Sequence, residues 1–381
     1  MRFISVLLIA VLTTSCTIKM NNEILKKDER IKDYLTKKNR SGDYPGIQYI
    51  VTSSNSILYN FNIGLADIKE KRPISESTTM MIYSMTKTFT AAAVLKLVDE
   101  NKLSIDDSVE KYLPEIPYGN QLTIRHLLCQ TSGIPNPIPL KWAHLVEEDS
   151  SYNEDATLKL ILAKYPKLDF APGKKYSYSN ISYWILGKII EVVSGMSYKE
   201  YMKSQIFAKL DLPKNDVDFV ISLESNHAKG YLKRISFMNL LKIFVMDAKY
   251  FGDYEDSWLH IKNHYLNGSA FGGIVSSAQS VSVFLQDQLK TDSVLFSKKT
   301  KELFYEQQKD NDGKLIEMAL GWHIGIIDSN KFYYKEGGGG GFHGEMRIYP
   351  SKGIATVVIA NNTEFNARAF LDVVDREVFE K

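Results

Sequence analysis

The feature of this 381-residue sequence that most restricts its fold is an apolar run, Phe89 to Val98, directly preceded by Ser84-Met85-Thr86-Lys87. The run predicts a buried helix. Residues three apart lie on one helix face, so Ser84 and Lys87 would be neighbours. A lysine can activate a serine hydroxyl only where burial or other cations lower the pKa of its amine. By itself, the tetrapeptide fits a helix-capping serine and a surface lysine better than a catalytic pair.

A second motif, Tyr178-Ser179-Asn180, precedes a helical pattern that ends at Gly195. Tyr178 and Asn180 therefore fall on the loop that enters a helix, where side chains can face a cleft. Tyr118-Gly119-Asn120 and Tyr265-Leu266-Asn267 have the same spacing, but neither opens a helix of this kind.

A third motif, Lys335-Glu336-Gly337, follows a strand-like segment, 331–334, and leads into glycines 338–341. A cation on a strand beside small residues suits a site in which a substrate lies against the strand edge. A flexible glycine linker is the alternative. It fits less well, because strand-like alternation resumes at once over 342–349.

The ordered set Ser-x-x-Lys, Tyr-Ser-Asn and Lys-x-Gly resembles the penicillin-recognising serine hydrolases, in their branch of class C β-lactamases, DD-peptidases and esterases. The resemblance runs from about Tyr44 to the C-terminus. It implies an α+β, β-lactamase/transpeptidase-like fold, with an antiparallel sheet flanked by helices, a mostly helical inserted domain and the active site at their junction. No metal or organic cofactor is implied.

The resemblance also implies a role for each motif residue. Ser84 would be the nucleophile that forms an acyl-enzyme, Lys87 its proton partner and Tyr178 the general base. Two nearby ammonium groups, on Lys87 and Lys335, would bring the pKa of the Tyr178 phenol down toward working pH. The backbone amides of Ser84 and Gly338 would form the oxyanion hole. The predicted substrate-binding residues are Asn180, Lys335, Glu336, Gly337 and His343.

Two departures from the family pattern bear on the substrate. Glu336 stands where β-lactam-binding members usually carry a hydroxyl residue, and its carboxylate would repel a substrate carboxylate unless it is turned away or already paired. An insertion at about 232–268 contains the apolar stretch from Ile235 to Trp258. We expect a lid or a core helix there. A membrane-surface element is the alternative, although the Lys/Arg-rich opposite face typical of such helices is missing.

The order of the elements predicts how the chain is divided. Segments 44–83 and 270–381 should build one discontinuous α/β domain around an antiparallel sheet, and 84–269 a helical domain. The predicted strands cover 47–52, 57–63, 331–334, 345–349 and 354–360, with a closing helix over 365–379. The 47 basic and 45 acidic residues give a net charge of +2 without a dense basic cluster, which argues against nucleic-acid binding.

The N-terminus predicts export. Arg2 and the short apolar run from Phe3 to Leu12 are typical of a signal peptide, residues 1–15, and small residues before Cys16 resemble a bacterial lipoprotein cleavage site. A lipid on Cys16 would anchor the protein to a cell-envelope membrane, and 16–43 would be a tether. Plain secretion, a periplasmic location and an uncleaved anchor are the alternatives.

The remaining thiol and the histidines point to structural roles. Cys129, in an apolar turn, should be a buried structural thiol. His260 and His264 are four residues apart and are predicted to share a surface helix, where two ligands make a poor zinc site. The function that fits best is a serine hydrolase acting on an ester, an amide or a D-amino-acid peptide. A penicillin-binding-like sensor with little turnover is the alternative.

Overall fold

The protein is built around an antiparallel β-sheet to which both ends of the chain contribute. A computed structural model describes residues 28–137 and 142–379. Within these residues, seven strands form the sheet, in the order β12-β13-β14-β15-β1-β2-β3. The strands are, in chain order, β1 (Gly46–Ser53), β2 (Ile57–Asp67), β3 (Arg72–Pro73), β4 (Met80–Met81), β5 (Ala143–Leu145), β6 (Val217–Asp218), β7 (Gly230–Lys233), β8 (Phe251–Glu255), β9 (Trp258–Ile261), β10 (His264–Leu266), β11 (Val275–Ser276), β12 (His323–Ile327), β13 (Asn330–Gly338), β14 (His343–Tyr349) and β15 (Ile354–Ala360).

Helices lie on both faces of this sheet. Most of them come from the part of the chain between β3 and β12. They are, in chain order, α1 (28–40), α2 (Thr86–Asp99), α3 (Ile124–Leu128), α4 (Glu154–Lys164), α5 (Asn180–Ser194), α6 (Tyr198–Tyr201), α7 (Phe237–Val245), α8 (Ser269–Gly272), α9 (Ala278–Leu289), α10 (Lys298–Tyr305) and α11 (Ala367–Phe379). Within the described residues, no helix is both long and apolar enough to cross a membrane. The predicted α+β architecture is confirmed.

Alternation along β1 explains why the sheet is covered on both sides. Ile47, Tyr49 and Val51 pack in one apolar cluster with α1 and α11, whereas Ile50 points into the larger cluster around α2 and α9. Side chains that alternate on a strand face opposite sides of a sheet, so both faces of β1 are buried. The strands predicted over 47–52 and 57–63 are present as β1 and β2, which pair with each other in antiparallel orientation.

The prediction that 16–43 form a tether is wrong for the second half of this segment. Ile31 and Leu35 of α1 are fully buried against the sheet, and the Tyr44 hydroxyl donates a hydrogen bond to the Leu35 carbonyl oxygen at 2.7 Å. Apolar residues four apart share one helix face, which here packs on the core. The predicted signal peptide, Cys16 and the first part of the tether lie outside the described residues.

The insertion folds as a small unit of its own, with α7 packed on a three-stranded sheet in the order β7-β9-β8. The predicted helix shared by His260 and His264 is wrong: His260 lies in β9 and His264 in β10. His264 is 2% exposed, which also excludes the predicted surface position. Its ring contacts the Tyr83 hydroxyl at 3.2 Å. The expected core helix is only half right, because one side of α7 faces solvent.

Candidate active site

Ser84 lies in a tight turn that leads into α2. This 3-10 turn (Tyr83–Met85) passes directly into α2, whose side chains are buried from Thr86 to Leu95. Tyr83 has a φ of +44°, a left-handed conformation that costs a non-glycine residue about 1 kcal/mol or more. Its hydroxyl donates to the Gly340 carbonyl oxygen at 2.6 Å, which holds the turn against the glycine segment. The turn presents Ser84 to a cleft.

Lys87 lies one turn after Ser84 and is fully buried. Its Nζ is 3.0 Å from Ser84 Oγ, 2.7 Å from Asn180 Oδ1 and 2.6 Å from the Phe271 carbonyl oxygen. The last two atoms are acceptors only. Burial, and to a smaller extent the charge of Lys335, hold the pKa of Lys87 well below its usual range. The predicted pairing of a hydroxyl with an amine of lowered pKa is therefore present.

Tyr178 and Asn180 lie at the start of α5, as the sequence predicts. The Tyr178 hydroxyl is 2.6 Å from Ser84 Oγ. Asn180 begins the helix and donates from Nδ2 to Asn136 Oδ1 at 3.2 Å. This donation orients the amide so that its oxygen faces Lys87, because the side chain has only one acceptor atom.

Lys335 and Gly337 lie on β13, where that strand extends past its neighbour β12. The β12 pairing ends at Tyr334, so 335–338 have a free edge on that side. A Cβ added to Gly337 would lie 2.2 Å from the Ile82 carbonyl oxygen and 2.9 Å from Ser84 N. Only glycine allows this close approach of the strand to the serine turn. Lys335 Nζ is buried 4.9 Å from the centroid of the Tyr178 ring.

Glu336 is paired, which settles one question left by the sequence. Its Oε1 lies 2.8 Å from His343 Nε2, and its Oε2 lies 3.8 Å from Arg368 Nη2. The hydrogen bond from His343, with further help from Arg368 and Lys335, lowers the pKa of the Glu336 carboxyl. The carboxylate remains a lining group of the cleft beside Lys335. Its negative charge is therefore retained, is partly offset by Arg368 and still faces the substrate side.

The cleft is a cavity of about 490 Å³ with two chemically different walls. One wall carries Ser84, Tyr178 and the polar groups of β13 described above. The insertion supplies the apolar wall, which consists of Leu232, Met238, Met246, Phe251 and Ile261. A site of this kind suits a ligand with a reactive polar group and an apolar part. Gly338 lines the same cavity, as the predicted oxyanion hole requires.

The expected phenolate is not favoured by the surroundings of Tyr178. Burial is the largest influence and raises the pKa of the Tyr178 phenol, against the predicted direction, and the hydrogen bond with Ser84 offsets it only in part. Burial also lowers the pKa of Lys335 to about 7, so this amine is only partly charged near neutral pH. A desolvated amine sheds its proton more readily than a desolvated phenol does. Lys87 is thus the better proton acceptor in the free protein.

Sequence reasoning missed two groups near the candidate catalytic atoms. His323 lines the cleft and its Nε2 lies 3.1 Å from the Tyr176 hydroxyl. Burial and the charges of Lys335, Arg368 and Lys87 hold the pKa of His323 well below its usual range. The other group is the Phe271 carbonyl, which is a backbone atom and leaves no residue-type signal. Cys129 is buried and free, as predicted.

Comparison with known proteins agrees with this fold. The Beta-lactamase family model matches residues 30–377. Penicillin-binding protein 4* of Bacillus subtilis (strain 168) is 28% identical over 324 residues, which cover 83% of this chain and 68% of that protein. The structure of the octameric penicillin-binding protein homologue from Pyrococcus abyssi aligns with a TM-score of 0.73 at 24% identity, over 92% of this chain and 76% of that one. EstCE1, a hydrolase with promiscuous acyltransferase activity, aligns with a TM-score of 0.73 at 16% identity, over 95% of this chain and 100% of that one.

The fold and the relatives define a class, the serine hydrolases related to penicillin-binding proteins. The match over most of the chain goes further: this protein belongs to the beta-lactamase family. The predicted family is confirmed. The likeness to the two solved structures concerns the fold, and the reaction is considered next.

Proposed function

We propose that this protein is a serine hydrolase that forms an acyl-enzyme at Ser84 with a neutral ester or amide. The observation that carries the proposal is the contact of Ser84 Oγ with both the Tyr178 hydroxyl, at 2.6 Å, and Lys87 Nζ, at 3.0 Å. A nucleophile within reach of its base, with the base itself held by further groups, is the arrangement that acyl transfer requires.

The hydrogen bonds around Lys87 support a neutral amine as the base. A neutral amine has two N–H groups and one lone pair. Asn180 Oδ1 and the Phe271 carbonyl oxygen take the two N–H groups. The lone pair is then left for the Ser84 hydroxyl, which donates to it. If Lys87 is protonated, a third N–H donates to Ser84 instead and the base is lost.

The proposed reaction has two stages, acylation of Ser84 and hydrolysis of the resulting ester. Ser84 Oγ attacks the carbonyl carbon while its proton moves to Lys87 Nζ. The backbone amides of Ser84 and Gly338 stabilise the oxyanion, and each such donor is commonly worth ~3 kcal/mol in the transition state. The tetrahedral intermediate collapses and the leaving group takes a proton, relayed through the Tyr178 hydroxyl. Water then hydrolyses the Ser84 ester by the reverse route.

Glu336 and the apolar wall favour neutral substrates. The Glu336 carboxylate partly offsets the charge of Lys335, and burial leaves Lys335 partly neutral. A free carboxylate on the substrate would gain little from this pair. The names of the similar proteins include a penicillin-binding protein and a hydrolase with promiscuous acyltransferase activity, so the family alone does not select the substrate.

Covalent labelling tests the proposal. We expect a fluorophosphonate to add one adduct to the wild-type protein, seen by intact mass, and none to Ser84→Ala. A turnover screen over p-nitrophenyl esters, nitrocefin and D-Ala-D-Ala peptides then gives the substrate class. Labelling of Ser84→Ala would overturn the assignment of the nucleophile. An adduct without any turnover would favour the penicillin-binding-like sensor.

We also propose that the protein is exported and anchored through a lipid on Cys16. The support is the order of Arg2, the apolar run from Phe3 to Leu12 and Cys16. Membrane fractionation tests it: wild type should sediment with membranes, and Cys16→Ser should be released or stay unprocessed. A soluble wild-type protein with an unmodified N-terminus would contradict the anchor.

A further inference from the structure

Tyr83, the residue before the proposed nucleophile, has a backbone conformation that side chains normally avoid. Its φ of +44° is left-handed, and a bulky residue keeps such a conformation only where its surroundings enforce it. Tyr83 is 3% exposed and is not among the residues that line the cleft. Strain next to a reacting atom points to a function in the site, and burial means that Tyr83 acts through its neighbours.

The side chain of Tyr83 fastens the serine turn to the glycine segment, residues 338–341. Its hydroxyl donates to the Gly340 carbonyl oxygen at 2.6 Å. A Cβ added to Gly339 would lie 2.6 Å from Cε1 and Cζ of the Tyr83 ring, so the ring packs directly on the Gly339 backbone. Glycine at this position leaves room for the ring. The segment is therefore in contact with both the ring and the hydroxyl of Tyr83.

His264 supports the Tyr83 hydroxyl from the side away from the cleft. Its Nδ1 lies 2.8 Å from the Lys262 carbonyl oxygen, which is an acceptor only, so Nδ1 carries the ring proton. Burial lowers the pKa of His264, and its Nε2 therefore carries a lone pair near neutral pH. This Nε2 lies 3.2 Å from the Tyr83 hydroxyl. The hydroxyl thus faces two acceptors and is fixed as a donor.

The two backbone amides proposed as the oxyanion hole belong to the two elements that Tyr83 joins. One amide is that of Ser84, the next residue in the chain. The other is that of Gly338, two residues before Gly340. The strand already touches the serine turn at Gly337, where an added Cβ would lie 2.9 Å from Ser84 N. The backbone around Gly338 is therefore held at Gly337 on one side and at Gly340 on the other.

The glycine segment needs such a restraint, because glycine has more backbone freedom than any other residue. The pairing of β12 with β13 ends at Tyr334, which leaves the segment a free edge on that side. Its far end is fixed, since Gly341 N donates to Thr363 Oγ1 at 2.7 Å. An oxyanion donor must lie about 2.7–3.1 Å from the charged oxygen, and a displacement of about 1 Å can cost 100-fold in rate. Small movements of this segment would therefore matter for catalysis.

We propose that Tyr83 is a positioning residue that sets the distance between the two donors of the oxyanion hole through its hydrogen bond to Gly340. This inference rests on the proposed acyl transfer at Ser84 and gives a function to a side chain outside the cleft. Without the hydroxyl, residues 338–340 can move away from the serine turn. The loss then falls on the transition state, in which the carbonyl oxygen is charged, and not on substrate binding.

Tyr83→Phe, which removes only the hydroxyl, tests the proposal with two substrates. They are p-nitrophenyl acetate and its thiono analogue, in which sulfur replaces the carbonyl oxygen. Sulfur is a weak hydrogen-bond acceptor, so an intact oxyanion hole favours the oxygen ester. We expect Tyr83→Phe to acylate about 10–100-fold more slowly with the oxygen ester. The thiono ester should lose much less, so the oxygen-to-sulfur ratio of the acylation rates should fall about tenfold, while the affinity for the oxygen ester stays near that of wild type.

Tyr118→Phe is the matched control. Tyr118 is 7% exposed, and its hydroxyl also donates to a backbone carbonyl oxygen, that of Tyr165, at 2.9 Å. Both substitutions should lower the denaturant midpoint of unfolding by a similar amount, because each removes one hydrogen bond of the same kind. Tyr118→Phe should keep the oxygen-to-sulfur ratio of wild type. A general loss of structure slows both esters alike, so this ratio separates positioning from folding.

The other outcomes overturn the inference in distinguishable ways. An unchanged ratio in Tyr83→Phe, with Ser84 acylated normally in wild type, would remove the positioning role and leave the proposed function intact. Equal slowing of both esters would assign the Tyr83 hydroxyl to stability alone. If wild type gained no fluorophosphonate adduct at Ser84, the proposed function would fall, and this inference with it.

Discussion

The proposed role of Lys87 as a neutral base makes Lys87→Met the most informative substitution in the site. Methionine has a similar length but neither a proton to donate nor a basic lone pair. We expect the acylation rate to fall by at least ~100-fold, the lower end of the usual contribution of a positioned proton-transfer group. That loss corresponds to about 2.7 kcal/mol of transition-state stabilisation.

The assay must isolate acylation, because deacylation can limit turnover. A stopped-flow burst with p-nitrophenyl acetate gives the acylation rate, and intact mass gives the amount of acyl-enzyme. Lys111→Met is the matched control, since Ser108 and Lys111 have the same spacing on an exposed turn. It should leave the burst unchanged. A burst in Lys87→Met as fast as in wild type would refute the role of Lys87 as the base.

The pH dependence follows from the lowered pKa of Lys87. The base must be neutral, so acylation should slow as pH falls through the lowered pKa and level off above it. An acylation rate in wild type that is independent of pH in the acid range would contradict this.

Folding stability should also depend on pH because of the lowered pKa of Lys87. Between the lowered pKa and the usual value for lysine, the unfolded chain binds more protons at this position, so wild type gains stability as pH rises. Lys87→Met lacks this gain. It also leaves the acceptors Asn180 Oδ1 and the Phe271 carbonyl oxygen without a donor, at about 1–3 kcal/mol each. Denaturant titrations at neutral and alkaline pH should therefore show a larger deficit for Lys87→Met at alkaline pH, and an equal deficit at both would contradict the lowered pKa.

Three further substitutions test other residues of the candidate site. Tyr178→Phe should lower kcat for ester hydrolysis by at least ~100-fold, whereas Tyr265→Phe should not; the reverse result would mean that the wrong tyrosine was chosen. Glu336→Thr should raise kcat/KM for nitrocefin relative to a neutral acetate ester, and an unchanged ratio would show that the carboxylate does not act on the substrate. Gly337→Ala should destabilise the fold by about 1–3 kcal/mol in denaturant titrations, because its Cβ meets backbone atoms on the Ser84 turn; a stability equal to that of wild type would show that the turn can move away.

Helices and strands whose apolar residues repeat with a regular period could be predicted from the local sequence. The apolar run after Ser84 and the strand alternation around Lys335 reflect burial that repeats at the helix or strand period, so both elements were predicted. Helix α1 was missed because its many lysines suggested a solvated tether, although Ile31 and Leu35 are four residues apart. The same spacing misled at His260 and His264, which lie on two strands separated by residues 262 and 263.

Site residues that belong to a sequence motif could be predicted. Groups that only tertiary packing brings to the site could not. Ser84, Lys87 and Tyr178 come from two motifs, and the fold brings Ser84 Oγ to 3.0 Å from Lys87 Nζ and 2.6 Å from the Tyr178 hydroxyl. The Phe271 carbonyl and His323 reach the site only through tertiary packing. The raised pKa of Tyr178 has the same origin, because burial of its ring depends on the whole cleft.

The position of β1 in the sheet has a consequence for how the chain folds. β1 pairs with β15, so the partners of residues 47–53 are residues 354–360, which are synthesised some three hundred residues later. Until that last strand leaves the ribosome, the hydrogen-bonding edge of β1 has no native partner on that side. The nucleophile turn rests on β13, which belongs to the same late half of the sheet. A chain truncated before β15 should therefore stay inactive and vulnerable to proteolysis, and the folded protein should appear only after its C-terminal strand has been made.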